Sequence, residues 1–305
     1  MRLAIKLAYR NLIGAGLRTW LNVIVLSFSF VVIIFMKGVM TGWDHQAKTD
    51  MKNWEIGGGQ YWQKNYDPLD PFTLTDSHAP IPVEMKDEIA RGEMEPFLIV
   101  PGTIYPQGRL QSTVIKGINP RQNLFMLPSH KLDTITEAIP AVIGSLMAKS
   151  IKAAVGDEMM VRWRDANGTF DAGNIVITGI FSTNVPEVET GQIYIPLEKL
   201  QAMMMMPGEA TILTFRDGEK NRPPVSGWTL KTKEKLTASV DAMIKTKSAG
   251  QTIMFFILLL LAMLAIFDTQ VLSIFRRQKE IGTYVALGYT RQQVVGLFTV
   301  EGTMH

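Results

Sequence analysis

The chain has 305 residues, 47% of them hydrophobic and 19% charged, a formal net charge of +3 and no cysteine. So small a positive surplus argues against a nucleic-acid partner, and the missing thiols exclude disulfides, thiol catalysis and cysteine-held metals. The average suits a soluble protein of one or two domains, but the apolar residues gather in one block near the start and one near the end.

Residues 1–19 set Leu3, Ile5, Leu7 and Leu12 among Arg2, Lys6, Arg10 and Arg18, the pattern of a basic amphipathic helix lying in a membrane interface. Residues 20–42 follow as a first transmembrane helix. Trp20 and Trp43 stand at its ends, about 35 Å apart at helical rise, where an aromatic belt would anchor one crossing. The apolar run is longer than a signal-peptide core, and Lys37-Gly38-Val39-Met40-Thr41-Gly42-Trp43 offers no A-x-A-like cleavage site. A retained anchor is therefore expected, with Lys37 snorkelling at its outer end and the preceding basic residues holding the N-terminus inside.

Residues 43–249 have the polar turns and short β-rich runs of a folded domain. Pro80 to Arg91 predicts a helix, and Phe97 to Ile104 and Gln111 to Gly117 predict strands. Asn167-Gly168 predicts a hairpin turn between Met159 to Trp163 and Ile175 to Ile180, which also accounts for the sequon Asn167-Gly168-Thr169 without a sugar. Gly57 to Gly59 lacks the G-K-[ST] and helix of a phosphate loop, and a bulge or turn is expected instead. Met203-Met204-Met205-Met206 follows a predicted helix over Leu197 to Ala202. The run suits either a flexible surface for a greasy substrate or the filling of irregular core gaps.

Residues 250–275 form a second transmembrane helix, and Arg276, Arg277 and Lys279 return the chain to the inside. Asp268, in the inner half of this span, carries two readings: a polar residue facing the interface or a helix bundle, or an intramembrane functional group. Residues 276–291 turn amphipathic at once, with Ile281, Tyr284, Val285 and Gly288 recurring at helical spacing. Gly288 is placed to end this short helix in the left-handed region, and Thr290 with Gln293 forms a T-x-x-Q capping box for the next. Residues 292–305 begin a further apolar segment.

The chemistry is sparse. His45, His78, His130 and His305 lie far apart, no H-x-x-x-H or H-E-x-x-H pattern occurs, and a metal site is not expected. No G-x-S-x-G, supported S-x-x-K or Walker A sequence occurs either, so an enzyme is not expected.

A family resemblance rests on the segment behind the second span. Arg277-Gln278-Lys279-Glu280-Ile281-Gly282, Ala286-Leu287-Gly288 and Thr290-Arg291-Gln292-Gln293 resemble the R-x-x-E-I-G…A-L-G…R-x-x-I signature of FtsX-like, MacB-type permease subunits of ABC transporters. Ala141-Val142-Ile143-Gly144, Leu146-Met147-Ala148-Lys149 and Val155-Gly156-Asp157 are similar to the V-I-G…L-A…V-G-D pattern of that family's extracytoplasmic domain. Ile175 to Phe181 and Ile193-Tyr194-Ile195-Pro196-Leu197 resemble its later strands. Gly57-Gly58-Gly59-Gln60-Tyr61-Trp62 is similar to the lipoprotein-releasing LolC/LolE branch.

The resemblance implies an α+β membrane protein whose transmembrane helices flank a large extracytoplasmic mixed α/β domain of the MacB periplasmic-core type. It implies a coupling helix that docks on an ABC ATPase through Arg277, Glu280, Ile281, Gly282, Tyr284, Val285, Ala286, Leu287 and Gly288. For Glu280 the residues alone also fit a solvated charge paired with Arg276 or Arg277. No cofactor is expected on this chain, since ATP and magnesium would sit on the partner. A second permease subunit, identical or not, membrane lipid and an amphiphilic substrate such as a lipoprotein are the other implied partners, with peptide or drug efflux next. The implied location is the bacterial inner membrane, multi-pass, with the N-terminus cytoplasmic and the central domain outside. Family members carry four spans, so either the chain reads as truncated in its third or the remaining spans come from elsewhere. The rival readings are an FtsX-like regulator of cell-wall hydrolysis and a two-span sensor or receptor, although the heptads of a signalling helix are missing after the second span.

Overall fold

The computed structural model describes residues 17–216 and 222–303, so the expected interfacial helix lies outside the described residues up to residue 16. Leu17 to Thr19 already belong to the first long helix, α1, Leu17–Met51. At 1.5 Å per residue α1 is about 52 Å long and runs well past its apolar stretch. Contacts one turn apart hold the polar extension: Thr41 Oγ1 donates to the Lys37 carbonyl at 3.0 Å, Lys48 Nζ lies 3.0 Å from Asp44 Oδ1, and Gln46 Nε2 donates to Asp50 Oδ1 at 2.9 Å. The helix then widens into a π-helical turn, Lys52–Ile56, and ends at Gly57, φ 59°, which makes the glycine run a turn as expected.

The chain divides into two compact units, Met1–Trp43 with Met243–His305, and Asp44–Ala242. In the first unit, α1 and the 39-residue helix α7, Ala238–Arg276, leave their apolar side chains uncovered. Phe30 is 64% exposed and Phe256 67%, and almost nothing of the apolar windows in Ser27–Ile56 and Ala238–Leu264 is buried. Each such side chain in water forgoes about 1.5–3 kcal/mol of burial, so both helices are long, apolar and bare enough to cross a membrane and are not core helices of a soluble fold.

The second unit is built on a nine-stranded sheet. Its strands are β1 (Gly59–Gln63), β3 (Met94–Ile104), β4 (Gln111–Ile118), β5 (Ile139–Gly144), β6 (Glu158–Arg164), β7 (Phe170–Phe181), β8 (Gln192–Pro196), β10 (Ile212–Phe215) and β11 (Trp228–Thr232). The short β2 (Ala79–Pro80) and β9 (Glu209–Ala210) pair separately. That pairing takes Pro80 out of the predicted helix, which instead starts after Pro82 as a 3-10 turn, Val83–Met85, leading into α2, Lys86–Ala90.

The long strand β3 decides the topology. Its first half pairs with β10, its second half with β4 on one side and, at Gly102 to Ile104, with β6 on the other. The order β3-β4-β8-β5-β7-β6 therefore closes on itself, and β10, β1 and β11 extend the sheet from β3. Two of the pairings in the ring, β4 with β8 and β5 with β7, are parallel, so the sheet is mixed. Strict alternation on β6 turns Met159, Val161 and Trp163 into the ring and Glu158, Met160, Arg162 and Arg164 out. Inside the ring they meet Ile115, Ile175 and Ile193, and α5, Leu197–Met204, adds Leu200 and Met204 to the same core. The expected hairpin at Asn167-Gly168 joins β6 to β7, with Gly168 at φ 83°. The remaining short helices of this unit are α3 (Ser145–Ile151), α4 (Pro186–Glu189) and α6 (Lys233–Leu236). The fold class is thus α+β: a mixed α/β domain between two long apolar helices.

A candidate partner-docking elbow

The segment behind α7 folds into a helix, a tight turn and a second helix. Arg277 takes φ −98° and ψ 14°, which breaks the run of α7, and α8 spans Gln278–Ala286. Gly288, φ 92°, reverses the chain after α8. Its N–H donates to the Val285 carbonyl and that of Tyr289 to the Tyr284 carbonyl, each at 3.1 Å, the bond pair of a Schellman cap. The Tyr289 ring stands edge-on to Tyr284, centroids 5.8 Å apart, supplying the apolar contact that accompanies such caps. The last helix, α9, spans Arg291–Thr303. Before it, the Thr290 N–H donates to Gln293 Oε1 at 2.9 Å, the return half of the expected capping box.

The elbow shows two faces. Ile281 and Tyr284 are half-buried and Val294 is 6% exposed, whereas Val285 is 55% and Leu287 71% exposed. This corrects the single apolar stripe expected over Ile281, Tyr284, Val285 and Gly288. The cap commits Tyr284 to Tyr289, so the open face of α8 is Gly282, Val285 and Ala286, followed by Leu287. A Cβ added to Gly282 would meet no atom within 4 Å.

Glu280 accepts from Arg277 Nε at 2.7 Å, as the simpler reading of its charge anticipated. The Arg277 guanidinium also lies 4.9 Å from the centre of the Phe298 ring, which ties the entry of α8 to α9. Glu280 remains 55% exposed at its side chain, and an i,i+3 pair of this kind is worth only a few tenths of a kcal/mol. Exchanging it for a partner's cation is therefore cheap. Asp268 is exposed on α7, about 12 Å before Arg276 at helical rise, and is not part of the elbow.

The other residues singled out by sequence lie in the second unit. Met204 and Met206 are 3% and 2% exposed inside the ring, and the Met203 carbonyl accepts from Trp163 Nε1 at 3.0 Å, so the methionine run is core. Met205, φ 58°, is its one exposed member. His78 bonds Glu209, and among the described residues no cluster of acids and histidines could hold a metal.

Two buried polar groups, Glu95 and Tyr194, and the half-buried Lys116 have no local signature in the sequence. Glu95 is 3% exposed and pairs across β10 with Thr214, which pairs in turn with Gln60 of β1. Desolvation pushes the Glu95 carboxyl up to about 7, against the opposing pull of Arg216. Lys116, on the outer face of the ring, is lowered by burial, with Glu55 opposing, and its Nζ lies 6.0 Å from the centre of the Tyr194 ring. Burial raises the Tyr194 phenol, and Glu55 adds to the rise.

Residues 252–304 match the family described as FtsX-like permease C-terminal, a stretch covering the larger part of α7 and the whole elbow. No curated protein matches the chain. In structure it is similar to the periplasmic region of MacB from Actinobacillus actinomycetemcomitans, at 10% identity and a TM-score of 0.39, over 63% of this chain and 96% of that one. It is similar also to the extracellular domain of the noncanonic ABC-type transporter YknZ from Gram-positive bacteria, at 10% identity and a TM-score of 0.31, over 53% and 83%. Both likenesses are loose.

Proposed function

We propose that the chain is a permease subunit of an ABC transporter of the FtsX-like kind. The observation that carries this is the match of residues 252–304 to the FtsX-like permease C-terminal family, on a segment whose geometry suits docking. That geometry is a rigid, capped elbow directly behind an apolar helix, with a small and open apolar face at Gly282, Val285 and Ala286. A glycine there lets a partner's backbone come close, and the weakly held Glu280 supplies an exchangeable charge at the rim.

In this reading the elbow lies on the cytoplasmic side of the inner membrane and an ATPase subunit seats on it. ATP and magnesium are bound by that partner, and two permease subunits, identical or not, act together. Nucleotide-driven closure of the ATPases pushes the elbows, and α1 and α7 convey the push to the extracytoplasmic domain. Such a cycle needs two arrangements of the permease pair that differ in their contact with the ATPase. An amphiphilic cargo, a lipoprotein by the likeness of residues 57–62 to the lipoprotein-releasing branch, completes the reading.

The test is nucleotide turnover in the reconstituted complex. Glu280→Ala combined with Gly282→Leu is expected to abolish stimulation of the ATPase while leaving membrane insertion intact. Gly282→Ala alone favours the helix by about 0.5–1 kcal/mol, so any loss of stimulation it causes is a lost contact rather than a lost fold. Full stimulation in the double variant would defeat the docking role.

A further inference from the structure

The outer face of the ring carries a groove of about 630 Å³ that lies across β3, β4 and β6. Thr103 and Val114 form its floor, and the 3-10 turn Pro71–Thr75 walls one side with Pro71 and Leu74. Leu110 and Phe170 stand at its rim, 67% and 61% exposed, and extend the apolar lining of the floor to the surface. Arg162 and Arg164 point into the same space because their neighbours on β6 point into the ring. The Arg162 guanidinium lies 4.2 Å from the centre of the Phe170 ring. Arg164 donates its Nε to the Gly168 carbonyl at 3.0 Å. Stacking and backbone bonding hold both planar forks in place while leaving donors uncommitted. No acidic side chain lines the groove, and among the described residues neither guanidinium is paired with a carboxylate.

A neutral ligand has no use for two uncompensated guanidinium groups, and a bare inorganic anion has none for the apolar floor and rim. The volume is within the range of sites that enclose a small molecule. We infer that this groove binds a single-chain amphiphile with an anionic head, the head held by Arg162 and Arg164 and the acyl chain laid along Val114, Leu110 and Leu74. The inference deepens the transport reading, on which it rests for the claim that the cargo is an amphiphile, and it puts a single-chain anionic amphiphile in place of a lipoprotein as that cargo.

The experiment uses the full chain in nanodiscs of zwitterionic lipid and a diazirine-bearing laurate as the probe, with the labelled peptides mapped by mass spectrometry. Labelling is expected to concentrate in the peptides carrying Leu110 to Val114 and Pro71 to Thr75, and unlabelled laurate is expected to compete far better than its neutral glycerol ester. Arg162→Gln with Arg164→Gln should cut groove labelling about tenfold or more, as two charge-assisted contacts are lost, and Arg162→Lys with Arg164→Lys, which keeps the charges but not the held forks, should fall between that variant and the wild type. Both arginines are exposed and lose only one stack and one turn bond, so the unfolding temperature should shift only slightly, and Thr103→Trp, which fills the floor, should block labelling with the charges intact. Labelling spread over the apolar helices without enrichment in the groove, an unchanged yield in the double Gln variant, or equal competition by the neutral ester would overturn the assignment. No ATPase is present in this assay, so its failure leaves the docking proposal untouched, and loss of ATPase stimulation leaves this result untouched.

Discussion

Glu95 should make the stranded domain less stable as pH rises from about 4 to neutrality. The carboxylate sits 3% exposed in β3 opposite Thr214, one of its oxygens and the Thr214 hydroxyl lack hydrogen-bond partners, and burial lifts it to about 7. In the unfolded chain the same group titrates near the ordinary glutamate value, about 4.3. Between these two values the folded state holds a proton that the unfolded state has released, so stability falls with rising pH at about 1.4 kcal/mol per unit. The loss accumulates to about 3–4 kcal/mol, begins near pH 4 and is complete once pH passes the folded value of about 7. For a domain of this size it corresponds to a decrease of roughly 6–16 °C in unfolding temperature. The assay is thermal unfolding of the full chain in nanodiscs between pH 5 and pH 8, wild type against Glu95→Gln, as a difference between the two so that other titrations cancel. The Gln variant should gain on the wild type between pH 5 and about 7 and hold a constant lead above that. Parallel curves would show that Glu95 is ionised in the folded protein throughout, and the burial argument would be wrong.

Two further substitutions test the packing and the elbow. A Cβ on Gly144 would lie 2.3 Å from the Glu189 carbonyl oxygen, which is backbone and cannot swing aside, so Gly144→Ala should cost about 1–3 kcal/mol or more and lower the unfolding temperature. An unchanged transition would mean that the approach of α4 to β5 is not as close as described. Gly288→Ala forces a side chain into the left-handed region at φ 92° and should cost about 1–2 kcal/mol locally. Hydrogen exchange at the capping amides of residues 288 and 289 should accelerate severalfold while the stranded domain stays protected, and unaltered exchange at those amides would refute the cap.

Much of this architecture can be read from local pattern. The alternation Met159, Val161, Trp163 against Met160, Arg162, Arg164 fixes both the strand and its facing, and the Asn167-Gly168 turn follows from the need for a positive φ. The elbow was legible for the same reason: Gly288, Thr290 and Gln293 act within a few residues of one another. Closure of the ring was not, because Gly102 meets Trp163 and Val114 meets Gln192 across long separations that leave no periodic trace. The groove is a product of that closure: Arg162 and Leu110 become neighbours only once β6 pairs with β3. Glu95, between Met94 and Pro96, resembles any strand acid until β10 is laid beside it. The facing of α8 does not follow from helical periodicity, because the cap claims Tyr284 for Tyr289.

In the proposed topology the elbow faces the compartment in which nucleotide is hydrolysed and the stranded domain faces the other. Because the chain contains no cysteine, single thiols can be introduced without background, Thr283→Cys on α8 and Met205→Cys on the exposed member of the methionine run. With intact cells and a thiol reagent that cannot cross the inner membrane, Met205→Cys should react and Thr283→Cys should react only after the membrane is opened. Labelling of Thr283→Cys from outside in sealed cells would put the elbow beyond the reach of any cytoplasmic ATPase and contradict the account.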